Sequence, residues 1–180
     1  MLKRLKGFAL IEALVTAVIV AIGVSGVGVL LLRSVQATQD NSQKSQAMWI
    51  VQDYVGRIRA NSQGAKSEAY AGTFTKEVCE SQPATICSDI PGTDAEVCDS
   101  TQMATFDTWI TICGMDDDSF DTPADFIVNP VLTSSCESGT PGNCVQYLVN
   151  FQWNTKLITE SNDSGERVNT NNYSMVMEVN

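Results

Sequence analysis

The chain has no histidine in 180 residues. Histidine is the side chain whose unperturbed pKa sits in the physiological range, and it is the commonest metal ligand. Its absence removes the usual general base of serine and cysteine nucleophiles and the usual partner of cysteine in zinc sites. Basic residues are scarce too: 11 lysines and arginines face 21 aspartates and glutamates, a net charge of −10. That surface repels a phosphate backbone, which makes direct nucleic-acid binding unlikely by general electrostatics. There is no Gly-x-Ser-x-Gly elbow, no phosphate-binding loop, no pair of carboxylates singled out by spacing and no internal repeat. The chain reads as a non-enzyme without a cofactor.

What is present begins at the N-terminus. Lys3, Arg4 and Lys6 precede Gly7, and residues 8–32 then carry no charge except Glu12. This apolar run exceeds the roughly 20 residues that span a bilayer and the roughly 7–15 of a secretory signal core. No small-residue cleavage site follows, because Leu30, Leu31, Leu32 and Arg33 are bulky or charged. The basic leader holds the N-terminus on the cytoplasmic side, so the rest of the chain faces outward. A plain membrane anchor explains that topology but not Glu12, since a carboxylate in an apolar span is expensive and marks function by default.

The run Lys6-Gly7-Phe8-Ala9-Leu10-Ile11-Glu12 resembles the class III signal of type IV pilins and pseudopilins, with Ala9 where Thr or Ser is more usual. The resemblance implies cleavage by a prepilin peptidase between Gly7 and Phe8 and N-methylation of Phe8. It also implies pairing of Glu12 with the N-terminus of a neighbouring subunit in a filament. Loss of Lys3, Arg4 and Lys6 with the leader takes the net charge from −10 to −13. Burying the Glu12 pair adds little net stability, but a subunit docked out of step leaves an unpaired buried charge, so the pair sets register.

Six cysteines, Cys79, Cys87, Cys98, Cys113, Cys136 and Cys144, all follow the apolar run. An even count in an exported domain reads as disulfides, because the periplasm is oxidising. A zinc site, the competing reading, would show Cys-x-x-Cys spacings or histidine partners. Sequence alone does not choose the pairing; joining sequence neighbours gives 79–87, 98–113 and 136–144.

From Phe8 to about Ala60 the chain reads as one helix, about 80 Å long at 1.5 Å per residue. Gly23, Gly26 and Gly28 weaken it locally or let other helices approach closely. Ala47, Ile50, Val51, Tyr54, Val55 and Ile58 form an apolar stripe at helical spacing, and Asn61, Ser62, Gln63 and Gly64 stop it. Residues 144–153 alternate strongly and place Val145, Tyr147, Val149, Phe151 and Trp153 on one side of a strand. Residues 108–113, with Trp109, and residues 173–179 are further strand candidates. Residues 79–105 read as a stapled loop with at most a short helix at 100–106, and residues 161–172 as an exposed hairpin loop. The fold class expected is α+β, a helical spine packed on an antiparallel sheet. The organisation expected is a leader at 1–7, a helix at 8–62 (apolar at 8–32, amphipathic at 33–62) and a β-rich head at 63–180.

Within that frame Gln52-Asp53, Arg57-Ile58-Arg59-Ala60-Asn61, Met103-Ala104, Asp107, Trp109 and Trp153 resemble the PilV family of type IV pilus modification proteins, with Gly56 where glutamate is common. This resemblance implies a minor pilin of a Gram-negative type IV pilus. Its partners would be other minor pilins, the major pilin, prepilin peptidase and the inner-membrane assembly platform. A minor pseudopilin of a type II secretion system shares the same signal, and a non-polymerising anchored binding domain is a third reading, one that would tolerate Glu12→Ala. Asp116, Asp117, Asp118 and Asp121 offer carboxylate oxygens suited to calcium, but lack the EF-hand's glycine and closing glutamate and read first as a solvated acidic loop.

Overall fold

The computed structural model describes residues 9–90, 92–114, 127–156 and 168–179. The chain divides into two units, Met1–Ser42 and Gln43–Asn180. Helix α1, Ala9–Ala60, runs through both. Up to Leu32 it is apolar on every side apart from Glu12, and Leu10, Leu14, Ile22, Val24 and Leu30 are all more than 60% exposed. Its few hydroxyls turn back onto the helix: Thr16 Oγ1 donates to the Ala13 carbonyl at 2.9 Å and Ser25 Oγ to Ala21 at 2.8 Å. Such back-bonding leaves no hydroxyl proton unpaired in an apolar medium. This helix is long and apolar enough to cross a membrane.

The second unit begins with the last turns of α1, where Ala47, Ile50, Val51, Tyr54, Val55 and Ile58 are all buried. A short helix, α2 at Ser62–Lys66, follows. Four strands then form an antiparallel meander in the order β1-β2-β3-β4: β1 Gly72–Thr75, β2 Val128–Thr140, β3 Asn143–Lys156 and β4 Val168–Glu178. Leu132, Tyr147, Val149, Phe151, Trp153 and Met177 face one core together with the α1 stripe. The strand expected at residues 144–153 is β3, but Val145 is 47% exposed and Cys144 is buried in its place. The pairing of β2 with β3 shifts register beside Ser138, and the alternation breaks at that point. Val168–Asn172 belongs to β4 and not to a loop.

Residues 108–113 are not a strand. They end α3, a helix over Ser100–Cys113. Asp99 caps it, accepting from the amides of Thr101 and Gln102 at 2.8 Å, while Gln102 Oε1 accepts from the Asp99 amide at 2.9 Å. Gly114, at φ 76°, closes it with its amide on the Ile110 carbonyl. The helix is buried on two sides. Ala104, Ile112 and Cys113 join the main core, while Phe106 and Ile110 meet Ile86 and Ile90 in a second cluster. Apolar residues on both sides hide the helical stripe, and Trp-Ile-Thr-Ile then looks like strand.

The disulfides are Cys79–Cys113, Cys87–Cys98 and Cys136–Cys144. Only the last joins cysteines as neighbour pairing expects; 79–87 and 98–113 are not formed. Helix α3 is the reason. At 1.5 Å per residue it carries Cys113 about 20 Å from Cys98, whereas a disulfide needs Cα atoms about 5.5 Å apart. Cys113 instead reaches Cys79, in the 3-10 turn at Lys76–Glu80, with a Cα separation of 5.5 Å.

Candidate functional site

Two regions carry the chemistry. The first is the apolar part of α1. Glu12 sits in its first turn, exposed, and among the described residues it has no ion-pair partner. Gly7 and Phe8 lie outside the described residues. Added Cβ atoms at Gly23, Gly26 and Gly28 would meet nothing within 4 Å, so these positions offer shallow ground for another helix. Farther along, Trp49 lies off the buried stripe and is 72% exposed. Nothing in the periodicity singled it out.

The second region is a buried polar network in the Gln43–Asn180 unit. Asp53, Arg57 and Asn61 stand at successive i, i+4 positions along and just beyond α1. Arg57 Nε donates to Asp53 Oδ2 at 2.7 Å, and Arg57 Nη1 donates to Asp107 Oδ1 at 3.3 Å. Asp107, on α3, is 5% exposed and also accepts from the Tyr70 hydroxyl at 2.6 Å. Asn61 Nδ2 donates to Tyr70 Oη at 3.1 Å and to the Ser100 carbonyl at 2.6 Å, while its Oδ1 accepts from the Gly64 amide. The Tyr54 hydroxyl lies 3.1 Å from Thr108 Oγ1, and the Tyr70 carbonyl accepts from Ser134 Oγ. Tyr147 Oη donates to the Ala65 carbonyl at 3.0 Å. One constellation, buried apart from Asp53 and parts of Arg57 and Asn61, thus fastens α1, α2, α3 and the sheet. The motif residues Asp53, Arg57, Asn61 and Asp107 meet here as a structural latch. Sequence reasoning noticed them and read Tyr54 only as part of the apolar stripe; it missed Tyr70, and both hydroxyls are placed only by folding.

Burial sets the electrostatics. It raises the pKa of Tyr54 and Tyr70, with the nearby Asp107 adding to both, and it raises Tyr147 to about 12. Partial burial lowers the Arg57 pKa, but hydrogen bonds and attraction from Asp53 and Asp107 outweigh it and leave the guanidinium above its ordinary value. The phenols have a consequence for stability. Folding raises them above the unfolded value of 10, so the folded state keeps protons that the unfolded chain releases. Stability is then full below about pH 10 and falls as pH climbs through the folded values. The urea midpoint is expected to hold from about pH 8 to 9.5 and to drop by about pH 11, with Tyr147→Phe flattening the fall by less than the limiting slope of about 1.4 kcal/mol per pH unit for one proton. A midpoint unchanged at about pH 11 would contradict it.

The six cysteines are all used in the three disulfides. Asp116, Asp117, Asp118 and Asp121 lie outside the described residues, and among the described ones no group of three acids or cysteines is placed to hold a metal ion.

An apolar N-terminal helix that continues into a core-packed stripe, an antiparallel four-stranded sheet and three disulfides make up a type IV pilin fold. The family comparison agrees: residues 29–109 match the Tt1218-like family, described as type IV pilin Tt1218. Over that stretch the chain is similar to type IV pilins, and its N-terminal helix is long and apolar enough to cross a membrane. No curated protein and no solved structure matches it.

Proposed function

We propose that this chain is a minor pilin of a bacterial type IV pilus. The observation that carries the reading is the exposed apolar stretch of α1 from Leu10 to Leu32, with Glu12 as its lone charge, in a chain matching type IV pilins over residues 29–109. The subunit waits in the inner membrane with residues 33–180 in the periplasm. A prepilin peptidase cuts between Gly7 and Phe8, and Phe8 is methylated. The new α-amino group is cationic near neutral pH, with a reference pKa of about 8, and pairs with Glu12 of an adjacent subunit. The apolar residues 8–32 then pack among other helices, with other minor pilins and the major pilin as neighbours and an assembly platform supplying the motion. The PilV-like residues Asp53, Arg57, Asn61 and Asp107 support a priming or modifying role alongside other minor pilins; motility, adhesion and DNA uptake belong to the pilus as a whole.

The test is the intact mass of protein extracted from membranes of cells that have the peptidase. The expected mass lacks Met1 to Gly7, gains one methyl group and rises by two hydrogens for each of the three disulfides on reduction. A full-length mass, or a cut beyond Leu32, would sink the reading. The pseudopilin alternative rests on the same signal; it is separated by a deletion strain, in which a pilin's loss removes surface pili and leaves type II secretion intact.

A further inference from the structure

The two edges of the sheet are built differently. On one side β1 has four residues, and the part of β2 that extends beyond it carries Pro130, three register shifts and the Cys136–Cys144 clasp. Short strands, prolines and bulges are how proteins keep a sheet edge from recruiting another chain. On the other side β4 has none of these. It pairs with β3 without a shift through eleven consecutive residues, Val168 to Glu178. It contains no proline, no glycine and no charge except the terminal Glu178. Among the described residues no strand but β3 pairs with it.

The open hydrogen-bonding groups can be assigned. The Val179 amide donates to the Val145 carbonyl at 2.8 Å, so the odd-numbered residues of β4 bond to β3. The amides and carbonyls of Thr170, Asn172, Ser174 and Val176 therefore point away from β3 along the free edge. Tyr173 and Met175 on the inner face are only partly buried against the core, so an added strand would cover them.

We propose that β4 pairs antiparallel with β4 of a second copy of this chain, about a two-fold axis at Tyr173. Charge and register both favour that occupant. At a net charge of −10 two copies repel each other, and an uncharged edge is where they can meet. Centring on Tyr173 pairs all eleven residues, and it opposes Asn172 with Ser174 and Thr170 with Val176, every one of them carrying outward-facing groups. Inner faces meet inner faces, and a one-residue slip would lose that match. Each Glu178 falls opposite the partner's Val168, which keeps the two carboxylates about 34 Å apart at 3.4 Å per residue, several Debye lengths at physiological salt. The two-fold is normal to the sheet and reverses the α1 turns packed on its inner face, so the pairing is not a contact within one filament and is tested separately from that reading.

The test uses the full chain in detergent micelles with its disulfides intact. Light scattering should give the mass of two copies falling to one on dilution. Ser174→Pro removes an outward amide and spares the β3 ladder; Asn172→Lys with Ser174→Lys sets like charges opposite each other twice. Both should give monomers with unchanged circular dichroism, whereas Thr73→Lys on the opposite edge should leave the dimer. Hydrogen exchange reads the wild-type edge directly: amides of Asn172, Ser174 and Val176 should be protected in the dimer and lose that protection on dilution. A chain that stays monomeric, a dimer that survives Ser174→Pro with its fold intact, or even-numbered β4 amides that exchange freely in the dimer would overturn the proposal. Either of the last two would assign the contact to the apolar helix.

Discussion

Arg57→Ala is expected to lower the unfolding free energy by about 3 kcal/mol, the low end of the cost of stripping one partner from a buried ion pair. The low end applies because the Arg57 side chain keeps 27% of its surface exposed, while that of Asp107 keeps 8%. Removing the guanidinium leaves a buried carboxylate with the Tyr70 hydroxyl as its remaining donor. Against a total stability of about 5–15 kcal/mol, that is a large loss from a residue that touches water. Arg57→Lys should recover only part of it, because an ammonium cannot reach Asp53 and Asp107 with the same fork. Asp107→Asn removes the charge that Arg57 balances, so adding Arg57→Ala to it should cost about 1 kcal/mol or less. The measurement is urea unfolding of the four proteins, with exposed Arg59→Ala as the reference. If Arg57→Ala matches Arg59→Ala within about 0.5 kcal/mol, the latch carries no stability.

The parts of this fold legible in sequence are those with one apolar face. The α1 stripe and the inner side of β3 announce themselves through spacings of 3.6 and 2 residues. Strand β2 does not, because half of its inner face is polar: Ser134 turns inward to bond the Tyr70 carbonyl, and Pro130, Ser135, Ser138 and Gly139 read as loop. Helix α3 fails for the opposite reason, being apolar on two sides. Its caps, Asp99 with Gln102 and then Gly114, were the readable signal. They outweigh the β-branched run at Ile110, Thr111 and Ile112 once a helix is needed between two clusters. At the site Glu12 is legible because a lone acid in an apolar run has no bland explanation. The latch is only half legible. Asp53, Arg57 and Asn61 are set by helical spacing, but Asp107 comes from 46 residues beyond Asn61 and Tyr70 from a loop, contacts no local pattern encodes.

Cys79→Ala with Cys113→Ala is expected to cost about 4 kcal/mol, because the bond closes the longest loop of the three and restricts the unfolded chain most. The sequence separations are 34 for this pair, 11 for Cys87–Cys98 and 8 for Cys136–Cys144. The same chain-entropy argument gives about 3 kcal/mol for the second and about 2.5 for the third. Alanine is the right replacement, since a serine at Cys113 would put a hydroxyl into the main core. The Cys79–Cys113 bond also holds the C-terminal end of α3, the helix that presents Asp107 to Arg57 and Tyr70. Its loss should therefore reach the latch: α3 amides lose exchange protection, and the cost of Arg57→Ala shrinks in this background because Asp107 can reach water. The Cys136→Ala, Cys144→Ala variant touches only the β2–β3 turn and should leave the Arg57→Ala cost unchanged. Unfolding of the three paired variants, with and without Arg57→Ala, separates the two effects. Equal costs for the long and short loops would mean that the bonds act through native contacts and not chain entropy. An undiminished Arg57 effect would mean that Asp99 and Gly114 alone suffice to hold α3 in place.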